Sequence, residues 1–153
     1  MLKITVIAFG KIKSKEYKTL HDEYLKRLSL YAKVEVVELE AESFREGEET
    51  RAKKKEAEKL LDYIYRHKLG TVILCDERGK EFTSRDLAIE LEKLGEVVLV
   101  IGGSLGFGES VKEMHQVKLA LSKLTFPHEL ARVVLLEQLY RAGTILAGKT
   151  YHY

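Results

Sequence analysis

The chain has 153 residues, 45% of them apolar and 33% charged, which fits one globular domain with a real core and excludes a disordered chain. Lys plus Arg (26) against Asp plus Glu (24) leaves a net charge of +2, so no global positive field speaks for nucleic acid. Any RNA contact must come from a local patch or a preformed partner shape. The charged excess is rich in Lys and Glu, the composition of many thermophilic proteins.

Leu2 to Phe9 is β-branched, alternates, and stops at Gly10, which reads as a first strand. Ser14 caps a predicted helix to about Tyr31, with Tyr17, Leu20, Tyr24, Leu28 and Tyr31 on one face and His21 on the solvent side. Val34 to Leu39 is a second strand. From Glu48 to His67 the pattern is helical, with Ala52, Ala57, Leu60, Leu61 and Ile64 inward and His67 at the surface. Lys53-Lys54-Lys55 lies in this helix; flanked by Glu48, Glu49, Glu56 and Glu58, it reads as a solvated face rather than a nucleic-acid patch.

Val72 to Cys75 is a short third strand, followed by a polar turn over Asp76 to Lys80. Thr83 or Ser84 starts a helix that ends at Gly95. Val97 to Ile101 is a continuous apolar run, the pattern of a strand covered on both faces. A short helix from Glu109 to Met114, a strand from Val117 to Leu121, and a long helix from Pro127 to about Leu146 complete the chain. Five strands alternating with five helices imply one α/β domain over residues 1–153, a mostly parallel five-stranded sheet with helices on both faces. The last helix is apolar around most of its circumference, at Leu130, Val133, Val134, Leu136, Leu139, Tyr140, Ile145 and Leu146. Such a helix is fully buried or shared with a second subunit, and a homodimer through it is expected.

Cys75, the only cysteine, closes an apolar run and reads as a buried inert thiol; no internal disulfide or Cys-based zinc site is available. The N-terminal segment runs straight into a strand without a cleavage pattern, and no apolar stretch approaches the roughly 20 residues of a membrane span, so a cytosolic, membrane-free protein is expected. The five histidines, at 21, 67, 115, 128 and 152, form no ligand spacing, and no metal is expected.

Function concentrates in the last third. Gly102-Gly103-Ser104-Leu105-Gly106 follows a buried strand, and Ser122-Lys123-Leu124-Thr125-Phe126-Pro127-His128 follows another. Together they suggest a ligand pocket at the carboxyl ends of a sheet. The glycine loop matches G-x-S-x-G, which would make Ser104 a hydrolase nucleophile. However, Gly106 and Gly108 obstruct helix entry, and no Asp follows Asp86 to serve as the triad acid. Neither dinucleotide nor P-loop fingerprint is present. His128 and Arg132 fall one turn apart on one helix face, and Tyr140, Arg141 and the Tyr151-His152-Tyr153 segment add groups able to stack on and clamp an unpaired base.

Ile-Gly-Gly-Ser-x-Gly (101–106), Leu-Ser-Lys-Leu-Thr-Phe-Pro-His (121–128), Glu-Gln-Leu-Tyr-Arg-Ala (137–142) and Tyr-His-Tyr (151–153) together resemble the ribosomal RNA large subunit methyltransferase H family, a small branch of the SPOUT methyltransferases. Position 105 is Leu and position 143 Gly, where the family suggests a more polar and a bulkier residue. The resemblance implies a SPOUT-type fold with a C-terminal trefoil knot and a homodimer. It implies an enzyme that uses S-adenosyl-L-methionine to methylate N3 of a pseudouridine in large-subunit rRNA within the assembled 70S ribosome. It carries over a cofactor site at Leu74, Gly103, Ser122, Lys123, Leu124, Thr125, Phe126 and Pro127, with Leu74 and Leu124 about the adenine. His128 and His152 become candidate proton acceptors, Arg132 and Arg141 orient base and phosphates, and Tyr140, Tyr151 and Tyr153 contact substrate. A flavodoxin-like nucleotide-binding module, a non-catalytic ribosome-associated dimer and a serine hydrolase remain the alternatives.

Overall fold

The computed structural model describes residues 1–114 and 117–153; His115, one of the five histidines considered above, lies outside them. The chain runs β1 (Leu2–Phe9), α1 (Lys15–Leu28), β2 (Ala32–Leu39), α2 (Glu49–Arg66), β3 (Thr71–Glu81), α3 (Ser84–Leu94), β4 (Glu96–Ile101), α4 (Glu109–Lys112), β5 (Val117–Ala120) and α5 (His128–Leu146). The strands form one sheet in the order β2-β1-β4-β3-β5, and every pairing is parallel. All five carboxyl ends therefore share one edge. The connection from β4 to β5 skips over β3, an arrangement compatible with the knot expected of the C-terminal third.

Alternate residues of each strand serve two cores. Ile4, Val6, Leu99 and Ile73 meet Leu28, Leu91, Leu135, Leu136 and Leu139 of α1, α3 and α5 on one face. Ile7, Phe9, Val98, Val100 and Leu74 meet Ala57 and Leu60 of α2 and Val111 of α4 on the other. Central strands buried on both sides explain why β4 reads as an unbroken apolar run.

Local signals hold where they are strong. Ser14 accepts the Tyr17 N–H at 3.2 Å and starts α1, Thr83 accepts the Asp86 N–H at 3.1 Å and starts α3, and Gly95, at φ +69°, ends it. Pro127 stands one position ahead of the first turn of α5, at its cap.

Three expectations are corrected. The polar stretch after Cys75 is not a turn that leaves the sheet. Cys75 and Lys80 both face Leu119, so residues 76–79 loop out of β3, and Lys80 and Glu81 return to pair with β5. Gly79 permits the return, since a Cβ there would stand 2.6 Å from the Lys118 carbonyl carbon. His21 is not on the surface. It is 5% exposed while Leu20 is 45% exposed, so His21 takes the inward place expected of Leu20 between Tyr17 and Tyr24. Glu56, grouped by sequence with the solvated charges of α2, is buried as well.

Candidate functional site

The loops that leave the carboxyl edge enclose a cleft of about 500 Å³, inside the 300–1,000 Å³ range of small-molecule and cofactor sites. Three segments form its walls: 75–78 from the excursion of β3, 101–107 after β4, and 121–128 between β5 and α5. Lys53 of α2 and Lys112 of α4 close the rim.

The glycine loop is a tight turn rather than a nucleophile elbow. The Gly106 N–H donates to the Gly103 carbonyl at 3.0 Å, Gly106 takes φ +76°, and helix α4 does not begin until Glu109. Ser104 is exposed on this turn and does not enter a helix, so the geometry of a serine hydrolase is not built. Gly103 packs directly on Glu56, whose Oε1 would lie 2.6 Å from any Cβ placed there. The other Glu56 oxygen accepts the Glu42 N–H at 3.0 Å. Burial pushes the Glu56 carboxyl above its ordinary range, against the pull of that hydrogen bond and of the Lys59 charge.

Of the residues singled out by sequence, Gly103, Ser122, Leu124, Thr125, Phe126, Pro127 and His128 meet on this cleft. Ser122 stiffens the second loop by accepting the Leu124 N–H at 3.0 Å, and Leu124 is 75% exposed at the mouth. Lys123 points away, 3.6 Å from Glu81. Leu74 sits in the α2-side core with no exposed surface, one residue short of the wall that Cys75 supplies, so of the pair expected about the adenine only Leu124 lines the cleft. Burial pushes the Cys75 thiol up to about 12, which leaves it inert at neutral pH.

Asp76, Glu77 and Arg78 belong to the cleft although they read as a turn. The Asp76 carboxylate accepts the Arg78 N–H at 2.9 Å and lies 3.4 Å from its Nε. Burial works against ionisation there, yet these bonds and the Arg78 charge hold Asp76 below its ordinary range. Only the long-range pairing of Lys80 with β5 brings this segment to the site, and no local pattern could have announced it.

The remaining candidates lie elsewhere. Arg132, assigned above to orienting the base, is 2% exposed. Its guanidinium donates to the Gly10 carbonyl at 3.2 Å and to Glu38 at 2.9 Å, and its Nε has no partner. It braces α5 against the ends of β1 and β2. Burial pushes neighbouring His21 down, and the Arg132 charge adds to this. Tyr140, Arg141, Tyr151 and His152 gather at the far end of α5 around Glu137. Tyr151 donates to Glu137 at 3.0 Å and Arg141 bonds it twice. The His152 Nδ1 lies 3.3 Å from Arg141, and Tyr140 meets Tyr151 at 4.6 Å between ring centroids. Burial, then the bond to Glu137, hold the Tyr151 phenol above its ordinary range. Tyr153 is fully in solvent. From His128 to Arg141 the helix rises about 20 Å, so one chain does not bring both groups to a single base.

The cleft's donor set fits S-adenosyl-L-methionine. Apolar walls from Ile101, Leu121 and Phe126 suit an adenine, and the carboxylates of Asp76 and Glu77 suit a cation. The Gly103 turn brings backbone where a side chain would be blocked. Among the described residues no group of His, Cys, Asp or Glu is arranged to hold a metal, and no helix is long and apolar enough to cross a membrane.

A family model described as "Predicted SPOUT methyltransferase" matches residues 2–152. Proteins named ribosomal RNA large subunit methyltransferase H are similar over almost the whole chain. That of Ruminiclostridium cellulolyticum is 42% identical over 161 residues, that of Acetivibrio thermocellus 44% over 161, and that of Gloeobacter violaceus 43% over 154, each match covering 99% of both chains. Among solved structures, a probable methylase family protein from Haemophilus influenzae matches the fold with a TM-score of 0.58 at 13% identity, covering 99% of this chain and 70% of that one.

Proposed function

The chain belongs to the SPOUT methyltransferase family, and from that premise we propose that it moves a methyl group from S-adenosyl-L-methionine to N3 of a pseudouridine in large-subunit rRNA of the assembled 70S ribosome. The observation that carries the reading is the single cleft in which the turn at Gly103, the segment Ser122 to Pro127 and His128 meet. Gly103, Ser122, Thr125, Phe126 and Pro127 hold the methyl donor, joined by Asp76 and Glu77 from the excursion of β3. The donor supplies an electrophilic methyl on sulfonium, so the protein's task is alignment, worth about 7–11 kcal/mol when reactants are well oriented. Pro127 keeps the second loop rigid before binding and lowers the ordering cost.

His128, on the cleft wall in the first turn of α5, accepts the N3 proton of the substrate base. The group around Glu137, with Arg141, Tyr151 and His152, binds the base and its phosphate. About 14 Å of helix to Glu137 and about 20 Å to Arg141 separate it from its own chain's His128, so in this reading the two act together across a homodimer. Pairing through α5 that set the tail of one subunit beside the cleft of the other would complete the site.

Tritiated S-adenosyl-L-methionine with ribosomes from cells lacking this gene, offered as 70S particles, separated subunits and free rRNA, tests the reading. Label in large-subunit rRNA from 70S particles alone is the expected result, and no label in any sample from a folded dimer contradicts it. Wild-type turnover by His128→Ala at saturating cofactor would remove His128 as proton acceptor.

A further inference from the structure

We propose that the loop joining β1 to α1 is the surface that grips the RNA backbone beside the cleft, with Lys11, Lys13 and Lys15 as its phosphate contacts. The inference rests on the RNA reading above and extends it to a surface that neither the cleft nor the tail includes.

Three observations carry it. First, the loop is fixed to the part of α5 that walls the cleft. The Gly10 carbonyl accepts from Arg132, and the Glu129 carboxylate accepts the N–H groups of Lys13 at 2.7 Å and Ser14 at 3.0 Å. Ala131 and His128, the immediate neighbours of Arg132 and Glu129, line the cleft. The lysines therefore stand roughly one helix diameter, about 10 Å, from the cavity. That is a separation the phosphates flanking an inserted base can bridge.

Second, the two acids bonded to this segment, Glu129 and Glu16, form no ion pair with its lysines among the described residues. Glu129 uses one oxygen on two backbone groups, and Glu16 accepts from the Ser14 hydroxyl at 3.2 Å. Lys11, Lys13 and Lys15 are exposed and form no ion pair among the described residues, whereas Lys18, one turn further along α1, is paired with Asp22. Three lysines against these two carboxylates leave the segment a local excess of one positive charge, on a protein whose net charge is only +2.

Third, bonds within the chain hold the loop's backbone. Ser14 caps α1 and Glu129 anchors the backbone ahead of it, so gripping phosphates costs little ordering of the main chain. Unpaired lysines on a fixed backbone beside a base-sized cavity are what sequence-independent positioning of RNA requires.

The test measures binding of immobilised 70S ribosomes and of a stem-loop from large-subunit rRNA between about 50 and 200 mM salt. It uses the wild-type protein, the triple variant Lys11→Ala, Lys13→Ala, Lys15→Ala, and the triple Lys→Arg variant. The alanine variant should bind both at least tenfold more weakly. Its salt slope should flatten by about 2 to 3, near one per lost phosphate contact. Its thermal midpoint and affinity for S-adenosyl-L-methionine should be unchanged, and the arginine variant should recover both affinity and slope. Wild-type affinity and slope in the alanine variant would overturn the proposal. So would a loss confined to ribosomes with stem-loop binding intact, which would assign the lysines to an acidic protein surface. Lysine-dependent RNA binding by a wild-type protein that transfers no methyl group would remove the methylation reading and leave this surface standing.

Discussion

The two ends of α5 are built on opposite plans. At its start, the loops around Gly103 and Pro127 leave an open cavity of about 500 Å³. Toward its finish and in the tail, Glu137, Arg141, Tyr151 and His152 bond one another, and Tyr140 meets Tyr24, Tyr31 and Tyr151 in tilted ring contacts. The first end is a cleft of cofactor size, whereas the second is a polar cluster closed on itself. The proposed reading assigns the cofactor to the first end and substrate contacts to the second, joined across two subunits.

The largest way to break that contrast is at the glycine turn. Gly103→Val sets a branched side chain against the buried Glu56 carboxyl and should weaken S-adenosyl-L-methionine binding about 100-fold, near 2.7 kcal/mol, as read by calorimetric titration. The tail should not respond, and the near-ultraviolet signal of its tyrosines should be unchanged. The converse change, His152→Ala, should lower turnover on 70S particles about tenfold while cofactor affinity stays within twofold. Were His152→Ala to weaken the cofactor as much as Gly103→Val does, the two ends would not be separate in function.

The smallest effect sharpens the comparison from beneath the cavity. The folded protein holds the Glu56 carboxyl above 4.5, so between 4.5 and that raised value the folded state binds more protons than the unfolded chain. The stability that Glu56 contributes is therefore present at low pH and lost as pH rises through this window. Glu56→Gln keeps an acceptor for the Glu42 N–H but does not ionise. Its thermal midpoint should gain on the wild type by about one or two degrees as pH climbs from 4.5 toward neutrality, then run parallel. A gap that narrows over that range would show that the carboxylate is favoured in place.

How far the sequence disclosed these features depends on the range of the interaction responsible. Ser14, Thr83 and Gly95 mark helix ends through bonds within four residues, and each stands where its type suggests. The loops at 102–106 and 122–127 were legible because small residues and the only proline interrupt apolar runs at the edge of a parallel sheet. Glu56, His21 and Arg132 were not. Glu56 and His21 sit on helices among charged neighbours and Arg132 on an apolar one, and burial depends on distant partners: Gly103 for Glu56, and Gly10 and Glu38 for Arg132. Residues 76–81 show the same limit, since a polar run containing a glycine is a turn by every local sign until Leu119 faces it from β5. The apolar girth of α5 is mostly explained within one chain, by packing on α1 and α3, and Gly143 lets the helix close on Tyr31. Val134, Glu137 and Arg141 stay half-buried on its remaining face.

The most direct test of the central claim is an amide-resolved NMR titration of the protein with S-adenosyl-L-methionine. The account predicts shifts concentrated at residues 75–78, 102–107 and 121–128, with the amides of Arg141, Tyr151 and His152 largely still. Shifts centred on the tail, or none at millimolar cofactor, would contradict a cofactor cleft at the start of α5.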